Sequence, residues 1–353
     1  IGGIRFGSSL SDKDVFFSFK NYRRRLDWGL TYYRSIINNY SGFFTGFLAY
    51  YNSSLITNLY QFNVAYPFDE VRRLGFTAGL RQDKGTIRPF NNATGVPDPY
   101  GLQQKDSSAW YQVGRLEFVY DNTLNPAQNI WNGTKWKVYL DYNIPTSMAK
   151  NTTFDLGFDA RHYHKIYRNF IWATRAAADF SWGNQKIVYY LGGVDGWLNP
   201  RFNTNQPAPD QTYAFQSLAL NMRGYNQNIA NGNNAFVINS EFRLPVFTTL
   251  LNRPINNAFL RNFQLIQFFD LGTAWNGKYN AITRPTEVYG DQTSGNPILV
   301  RIDAGGIGPF AAGYGFGARS TLLGYFMKAD LGWPAKGFFK GSPLFYFSLG
   351  LDF

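Results

Sequence analysis

The sequence has no long hydrophobic run: apolar stretches such as residues 47–51 are only a few residues long. A membrane-spanning helix needs ~18 or more consecutive apolar residues, so a helical membrane protein is excluded. Cysteine is absent, which excludes a disulfide framework and agrees with folding outside a reducing cytosol. The only histidines are His162 and His164. They share a strand face but have no evident third ligand, so we predict no metal site and no cofactor.

Aromatic residues, in contrast, are abundant. Phe, Tyr and Trp make up 19% of the chain, more than a soluble core needs but typical of a lipid-facing band between two interfacial girdles. Only helices and closed barrels satisfy every backbone group in lipid. At roughly 22 residues per strand with its connection, the length corresponds to about 16 strands. We therefore predict an all-β fold, a transmembrane antiparallel β-barrel of about 16 strands, as one domain over residues 1–353.

Polar and apolar residues alternate along many segments, as on β-strands with two different faces. In the last segment Phe345, Phe347 and Leu349 lie on one face, while Tyr346 and Ser348 lie on the other. A soluble β-sandwich alternates in the same way, but these segments are long and their apolar face is strongly aromatic. Strands are predicted near residues 2–9, 13–21, 26–37, 43–51, 55–66, 71–83, 110–121, 135–145, 153–164, 168–181, 186–192, 214–222, 234–247, 261–276, 299–319, 322–333 and 343–353. Residues 82–108 and 193–212, rich in Pro, Asn, Gly and Asp, are predicted to be surface loops.

The net charge of +11 is spread through the strand-like segments instead of forming one basic patch. This distribution argues against a nucleic-acid partner and favours a basic lumen or rims that face anionic lipid and lipopolysaccharide headgroups. Residues 1–4 already have the character of a strand. We therefore expect that the chain is the barrel part of a longer protein, with its signal peptide and N-terminal periplasmic domains outside it.

Three later segments concentrate charge on one face. Alternation directs Glu241 and Asp270 away from the lipid, on two segments that follow each other, and Arg223 stands in the long loop before them. A guanidinium group suits two carboxylates, and burial strengthens the contact. A loop folded into the lumen would bring the three together; the alternative is that they are ordinary solvated lumen charges. The glycine-rich residues 305–317 lack the Lys-Ser/Thr of a phosphate loop and are interpreted as kinked strand or loop.

These segments resemble the bacterial surface antigen superfamily of outer-membrane assembly and secretion barrels. The resemblance rests on Arg223-Gly224-Tyr225, on the Asn-x-Glu-Phe-Arg-x-Pro run at 239–245 and on the Phe-Phe-Asp-x-Gly-x-x-Trp run at 268–275, in that order. It covers residues 110–353. It implies that Arg223, Gly224 and Tyr225 form the tip of a lumen loop, which Arg223 latches to Glu241 and Asp270.

The resemblance implies insertion or translocation of polypeptides at the bacterial outer membrane, without enzymatic activity. The expected partners are unfolded outer-membrane or secreted polypeptide clients and periplasmic or lipoprotein accessory subunits. Two alternatives stay open: a two-partner-secretion pore or barrel that anchors a further periplasmic domain, and a passive porin or surface-binding scaffold. A large steady conductance would indicate the porin.

We hypothesise that the function depends on a weak lateral seam between the first and last strands. Glycines pack poorly and weaken a strand, and a weak seam leaves backbone groups that can template an incoming strand. The residues predicted to form this seam are Gly2, Gly3, Phe6, Leu349, Gly350 and Phe353.

Overall fold

The computed structural model describes most of the chain. The residues described are 2–6, 13–40, 50–90, 107–124, 132–147, 151–208, 211–218, 221–251, 254–279, 286–289, 300–303, 310–322, 324–335 and 341–350. The strands are β1 (Gly2–Phe6), β2 (Lys13–Asn21), β3 (Asp27–Tyr40), β4 (Tyr50–Pro67), β5 (Arg72–Phe90), β6 (Ser107–Asp121), β7 (Gly133–Pro145), β8 (Thr153–Tyr167), β9 (Phe170–Gly183), β10 (Lys186–Leu191), β11 (Tyr213–Leu218), β12 (Ala230–Gly232), β13 (Asn234–Pro245), β14 (Gln264–Trp275), β15 (Thr286–Tyr289), β16 (Val300–Asp303), β17 (Ala311–Leu322), β18 (Tyr325–Pro334) and β19 (Leu344–Leu349). The helices are α1 (Val246–Leu250) and α2 (Ala258–Arg261).

The chain forms two compact units. One comprises residues 1–117 and 141–152, and the other comprises residues 118–140 and 153–353. Strands β6 and β7 each contribute residues to both. Within the described residues, no helix is both long and apolar enough to cross a membrane.

The first unit contains an antiparallel meander, in which β1 to β5 pair in chain order. One face carries exposed apolar side chains such as Phe62 and Phe76. The alternate positions carry polar side chains that hydrogen-bond across strands: Thr77 donates to Asn63 over 2.9 Å, and Asn63 donates to Thr31 over 3.1 Å. The two faces therefore differ in polarity as the alternation in the sequence predicts.

The second unit contains a second antiparallel arrangement, with the order β8-β9-β13-β14-β17-β18-β19. Two further short sheets are formed by β10 with β11 and β12, and by β15 with β16. Residues 184–233, which we call the inner connection, join β9 to β13 and contain β10, β11 and β12. Because β9 and β13 are neighbours in the sheet, this long segment leaves the sheet and returns to the strand next to its starting point.

The inner connection lies against one face of the second unit. Leu191 and Met222 pack with Val237 of β13, Ala274 of β14 and Ala311 of β17, all buried in one hydrophobic cluster. We call this face of the strands the inner face. On the opposite, outer face the side chains are apolar and exposed, among them Phe242, Leu265, Phe269 and Phe316.

Several predicted boundaries were wrong. Residues 82–90 belong to β5 instead of a surface loop, and residues 91–106 lie outside the described part. The segment predicted as a surface loop at 193–212 contains the buried side chains Val194, Trp197 and Ala208, because it belongs to the inner connection. The strand predicted at 261–276 begins at Gln264, since the preceding residues form α2, which Asn257 caps through the Leu260 N–H.

The glycine-rich stretch also differs from its prediction. Residues 311–317 are regular strand, paired without a register shift to β14 on one side and β18 on the other. Residues 304–309 lie outside the described part, as do most residues of the strand predicted at 43–51. The strand number of about 16 therefore stays a prediction.

Candidate functional site

The charged inner face follows from strict alternation on β13 and β14. On β13, residues 235, 237, 239, 241 and 243 are all buried, while Ile238 and Phe242 are exposed. On β14, Gln264, Ile266, Phe268 and Asp270 are buried and alternate with exposed residues. The register places Asn239 of β13 beside Asp270 of β14. Glu241 and Asp270 therefore lie on neighbouring strands and face the inner connection.

Arg223 meets both carboxylates. Its Nε and Nη2 atoms donate to the two oxygens of Asp270 over 2.7 and 2.9 Å, which is a bidentate fork. Its backbone N–H donates to Asp270 over 3.0 Å. Its Nη1 atom lies 2.5 Å from Glu241 Oε1, and the guanidinium carbon lies 3.8 Å from the centroid of the Phe268 ring. The structure thus brings Arg223, Glu241 and Asp270 together, with Arg223 only 4% exposed.

Three more buried charges complete the cluster. Arg243 contacts the second oxygen of Glu241 over 2.7 Å, and Arg319 binds Asp330 through two hydrogen bonds of 2.6 and 3.0 Å. Asp330 also lies 3.8 Å from Arg223. The six side chains carry three positive and three negative charges. Burial of an unpaired charge is costly, whereas a balanced, hydrogen-bonded set of charges is tolerated. The six side chains therefore depend on one another, and we call these six residues the ionic latch.

Gly224 and Tyr225 hold the tip of the inner connection at β19 and β17. The Gly224 N–H donates to the Tyr346 hydroxyl of β19 over 2.8 Å, and that hydroxyl donates to the Tyr225 carbonyl over 2.8 Å. The Tyr225 hydroxyl donates to the Ala312 carbonyl of β17 over 2.9 Å. Gly224 has a φ of +94°, a conformation that L side chains rarely adopt. An added Cβ would also lie 2.6 Å from the Trp333 carbonyl oxygen.

Glycines of β17 and β18 make room for this tip. A Cβ at Gly313 would collide with the Arg223 carbonyl oxygen, and a Cβ at Gly332 would lie 2.7 Å from the Gly224 nitrogen. The register places Gly313 beside Asp270. The missing side chain at Gly313 thus lets the backbone of the tip approach the strand next to the carboxylate that binds it.

Sequence reasoning missed three residues of this site. Asp330 and Tyr346 fall on the polar faces of their strands in the sequence, and this position was the signal by which they could have been found. Arg319 had no such signal, because its segment was interpreted as strand with a glycine-rich break.

The two histidines lie outside this site. His162 lies 2.8 Å from the Thr134 hydroxyl, and its ring centroid is 6.4 Å from that of His164.

The predicted seam residues belong to two different units of the chain. Gly2, Gly3 and Phe6 belong to β1 and pair with Phe17, Phe16 and Lys13 of β2. Leu349 ends β19, Gly350 follows it with a φ of +125°, and Phe353 lies outside the described residues. A seam between the first and last strands stays a prediction.

Comparison with known proteins gives matches to structures alone. No protein-family model matches the sequence, and neither does any curated protein. The structure of BamA from Haemophilus ducreyi lacking POTRA domains 1-3 matches with a TM-score of 0.56 and 13% identity, over 96% of this chain and 62% of that chain. CdiB from Acinetobacter baumannii gives a TM-score of 0.49 with 12% identity over 97% of this chain and 50% of that one. CdiB from Escherichia coli gives 0.47 with 12% identity over 98% and 54%.

This chain spans less than two thirds of the length of each of these proteins. At 13% identity the BamA match establishes the fold. The prediction of an all-β, antiparallel fold of the barrel type is confirmed. The chain has a BamA-like β-barrel fold.

Proposed function

We propose that this chain is the barrel part of an outer-membrane protein that inserts or translocates unfolded polypeptides. The observation that carries the proposal is the docking of the Arg223-Gly224-Tyr225 tip on the inner face through the ionic latch, within a BamA-type fold. The proposed activity makes and breaks no covalent bond, so it involves no catalytic residue and no cofactor.

The outer face suggests the lipid partners, and the proposed activity suggests the protein partners. The exposed apolar outer face suits lipid, with lipopolysaccharide at the rim. Unfolded outer-membrane or secreted polypeptides are the proposed clients, and periplasmic or lipoprotein subunits are the proposed accessory proteins.

The test measures folding of a client in lipid vesicles. The chain is reconstituted, and a urea-unfolded small outer-membrane barrel is added; folding is followed by the change in gel migration without heating. We expect faster client folding than in vesicles that hold the same amount of a trimeric porin. Equal rates would contradict an insertion function.

A second candidate is a secretion pore, in which the inner connection is a plug that moves. The packing of Leu191 and Met222 against the inner face favours this candidate. Passage of an unfolded polypeptide into the vesicle interior, without membrane insertion of that polypeptide, would support the pore.

A further inference from the structure

The connection between β13 and β14 differs from the turns beside it. Residues 246–263, which we call the helical turn, contain α1 and α2, the only helices among the described residues. By contrast, residues 168–169 join β8 to β9, and residues 323–324 join β17 to β18. Connections of an antiparallel sheet alternate between its two ends. In the order β8-β9-β13-β14-β17-β18, these three connections therefore share the end opposite the inner connection.

Both helices of the helical turn expose apolar side chains. Helix α2 has the sequence Ala-Phe-Leu-Arg and no buried residue, and in α1 only Thr249 is buried. Leu250 is 69% exposed. Helices of this length are not stable in water by propensity alone, and burial of an apolar face normally stabilises them. The exposed apolar side chains of α1 and α2 therefore indicate an interaction surface.

Polar side chains from both neighbouring hairpins hold the backbone of the helical turn. The Arg168 Nη1 atom donates to the Thr249 carbonyl over 2.9 Å, and the Ser320 hydroxyl donates to the Phe259 carbonyl over 2.7 Å. Arg168 has a φ of +48°, which is uncommon for a residue other than glycine. The helical turn is thus fixed on its two sides, and these contacts leave its apolar side chains exposed.

The three connections and the strand ends beside them contain cations and no acid. No Asp or Glu occurs in residues 160–178, 242–269 or 316–329. Since the chain has 23 acidic residues, their absence from three neighbouring segments is a local feature and does not follow from the composition. Lys165, Arg168 and Arg261 are exposed here. This end of the second unit therefore attracts anions.

An aromatic group connects the helical turn with the outer face. Phe170 and Trp172 of β9 stack on Phe242 of β13, with ring centroids 6.1 and 6.2 Å apart. Trp172 is 41% exposed, and its Nε1 atom donates to the Ser240 hydroxyl over 2.9 Å. Tryptophans of membrane proteins concentrate at the headgroup level of a bilayer. The helical turn begins directly after β13, so it lies at the end of the band that suits lipid.

We propose that the helical turn and its two neighbouring turns form an interfacial anchor that binds anionic phospholipid. The apolar side chains of α1 and α2 enter the headgroup region, and Lys165, Arg168 and Arg261 contact phosphate groups. Cations beside exposed aliphatic and aromatic residues are typical of elements that lie on an anionic lipid surface. The other possible occupant is a protein subunit; continuity with the outer face and the missing acids favour lipid. This inference rests on the proposed function, because it requires the chain to lie in a membrane.

The test locates the helical turn in lipid vesicles. The chain has no native cysteine, so Leu250→Cys provides a single site for an environment-sensitive fluorophore. Thr204→Cys, at an exposed position of the inner connection, is the matched control for a label in water. Phe316→Cys, on the outer face, reports whether the chain is inserted. The vesicles are equimolar mixtures of phosphatidylcholine and phosphatidylglycerol, and one of the two lipids carries a spin-label quencher, either just below the headgroup or deep in the acyl chain.

We expect the shallow quencher to quench the label introduced with Leu250→Cys, more strongly from phosphatidylglycerol than from phosphatidylcholine, and not to quench the label introduced with Thr204→Cys. Lys165→Gln and Arg261→Gln should each lower the preference for phosphatidylglycerol about fivefold. Arg201→Gln, which removes an exposed cation of the inner connection, should leave it unchanged. Equal quenching by both lipids, or no quenching at position 250 while the deep quencher acts at position 316, would overturn the proposal.

A further variant tests the apolar contribution without disturbing the fold. Leu260 is 37% exposed and α2 has no buried residue, so Leu260→Asp replaces an apolar group with a carboxylate while the packing of the strands is unchanged. It should reduce quenching at position 250, and Thr204→Asp, which adds the same charge elsewhere, should not. Wild-type quenching with Leu260→Asp would contradict the entry of α2 into the headgroup region.

The same samples separate this inference from the proposed function. Quenching at position 250 with a preference for phosphatidylglycerol, but without accelerated client folding, contradicts only the insertion function. Accelerated client folding with no quenching at position 250 contradicts only the anchor and leaves the helical turn as a surface for a protein subunit. If the deep quencher does not act at position 316 either, the chain does not lie in the bilayer, and both proposals are wrong.

Discussion

Arg223 brings a charge into a site with very little access to water. Its guanidinium group faces Asp270, Glu241 and, at 3.8 Å, Asp330, and the two other arginines of the ionic latch balance the remaining charge. Truncation of one partner in a buried ion pair is strongly destabilising because it leaves uncompensated charge. Arg223 is therefore the side chain whose loss should do most to free the inner connection.

We expect Arg223→Ala to lower the stability of the folded chain by about 3–5 kcal/mol and to make residues 184–233 sensitive to protease. Heat-dependent gel migration measures the first effect, and limited proteolysis in detergent measures the second. Arg201→Ala is the control, since Arg201 is exposed and lies in the same connection. A variant with wild-type melting and wild-type protease resistance would show that Arg223 does not latch the loop.

Lysine at position 223 tests whether charge alone is enough. An ammonium group is compact and cannot make the bidentate contact with Asp270 while it also reaches Glu241. We expect Arg223→Lys to melt between the wild type and Arg223→Ala, with protease sensitivity also intermediate. Melting equal to that of the wild type would mean that the fork geometry contributes nothing measurable.

At the scale of elements, the inner face of β17 is shaped by glycine. A methyl group at Gly313 would collide with the Arg223 carbonyl, and overpacking of this kind typically costs about 1–3 kcal/mol. We expect Gly313→Ala to expose the inner connection to protease while the charges of the latch are unchanged. Ala312→Ser, on the opposite face of the same strand, is the control. Equal protease resistance in both variants would contradict the close approach of the tip.

The outer face of the same strand leads to a different prediction. Phe316 lies near the middle of β17 and is 48% exposed, so it faces lipid in the proposed setting. A lysine at the midplane on the lipid side of a barrel costs about 2–4 kcal/mol. We expect Phe316→Lys to lower the urea midpoint of unfolding in vesicles, and Tyr22→Lys, in the turn after β2, to change it little. Equal shifts would indicate that Phe316 does not face the bilayer core.

Alternation in the sequence was sufficient to orient β13 and β14, because a strand has only two faces and one of them is strongly apolar. It could not place Trp197, whose segment has the Asp, Gly, Asn and Pro composition of an exposed loop. The backbone groups of β19 that hold this segment have no signature in side-chain pattern. The contact of Arg319 with Asp330 depends on strand register, which the polar pattern of the individual strands does not determine. Local periodicity thus predicted faces, while tertiary pairing decided the contacts.

For the whole molecule, the position of the inner connection determines how a bilayer containing this chain should conduct. Residues 184–233 cover the inner face of the second unit through a hydrophobic cluster and the ionic latch, whereas an open porin leaves its lumen to water. We expect the reconstituted chain to give small, flickering currents in a planar bilayer. We expect Arg223→Ala to give longer and larger openings, because the connection then loses its charged anchor. Arg201→Ala should conduct as the wild type does. Large steady currents from the wild-type chain would instead indicate a passive porin, and the insertion and secretion proposals would both lose their support from the docked connection.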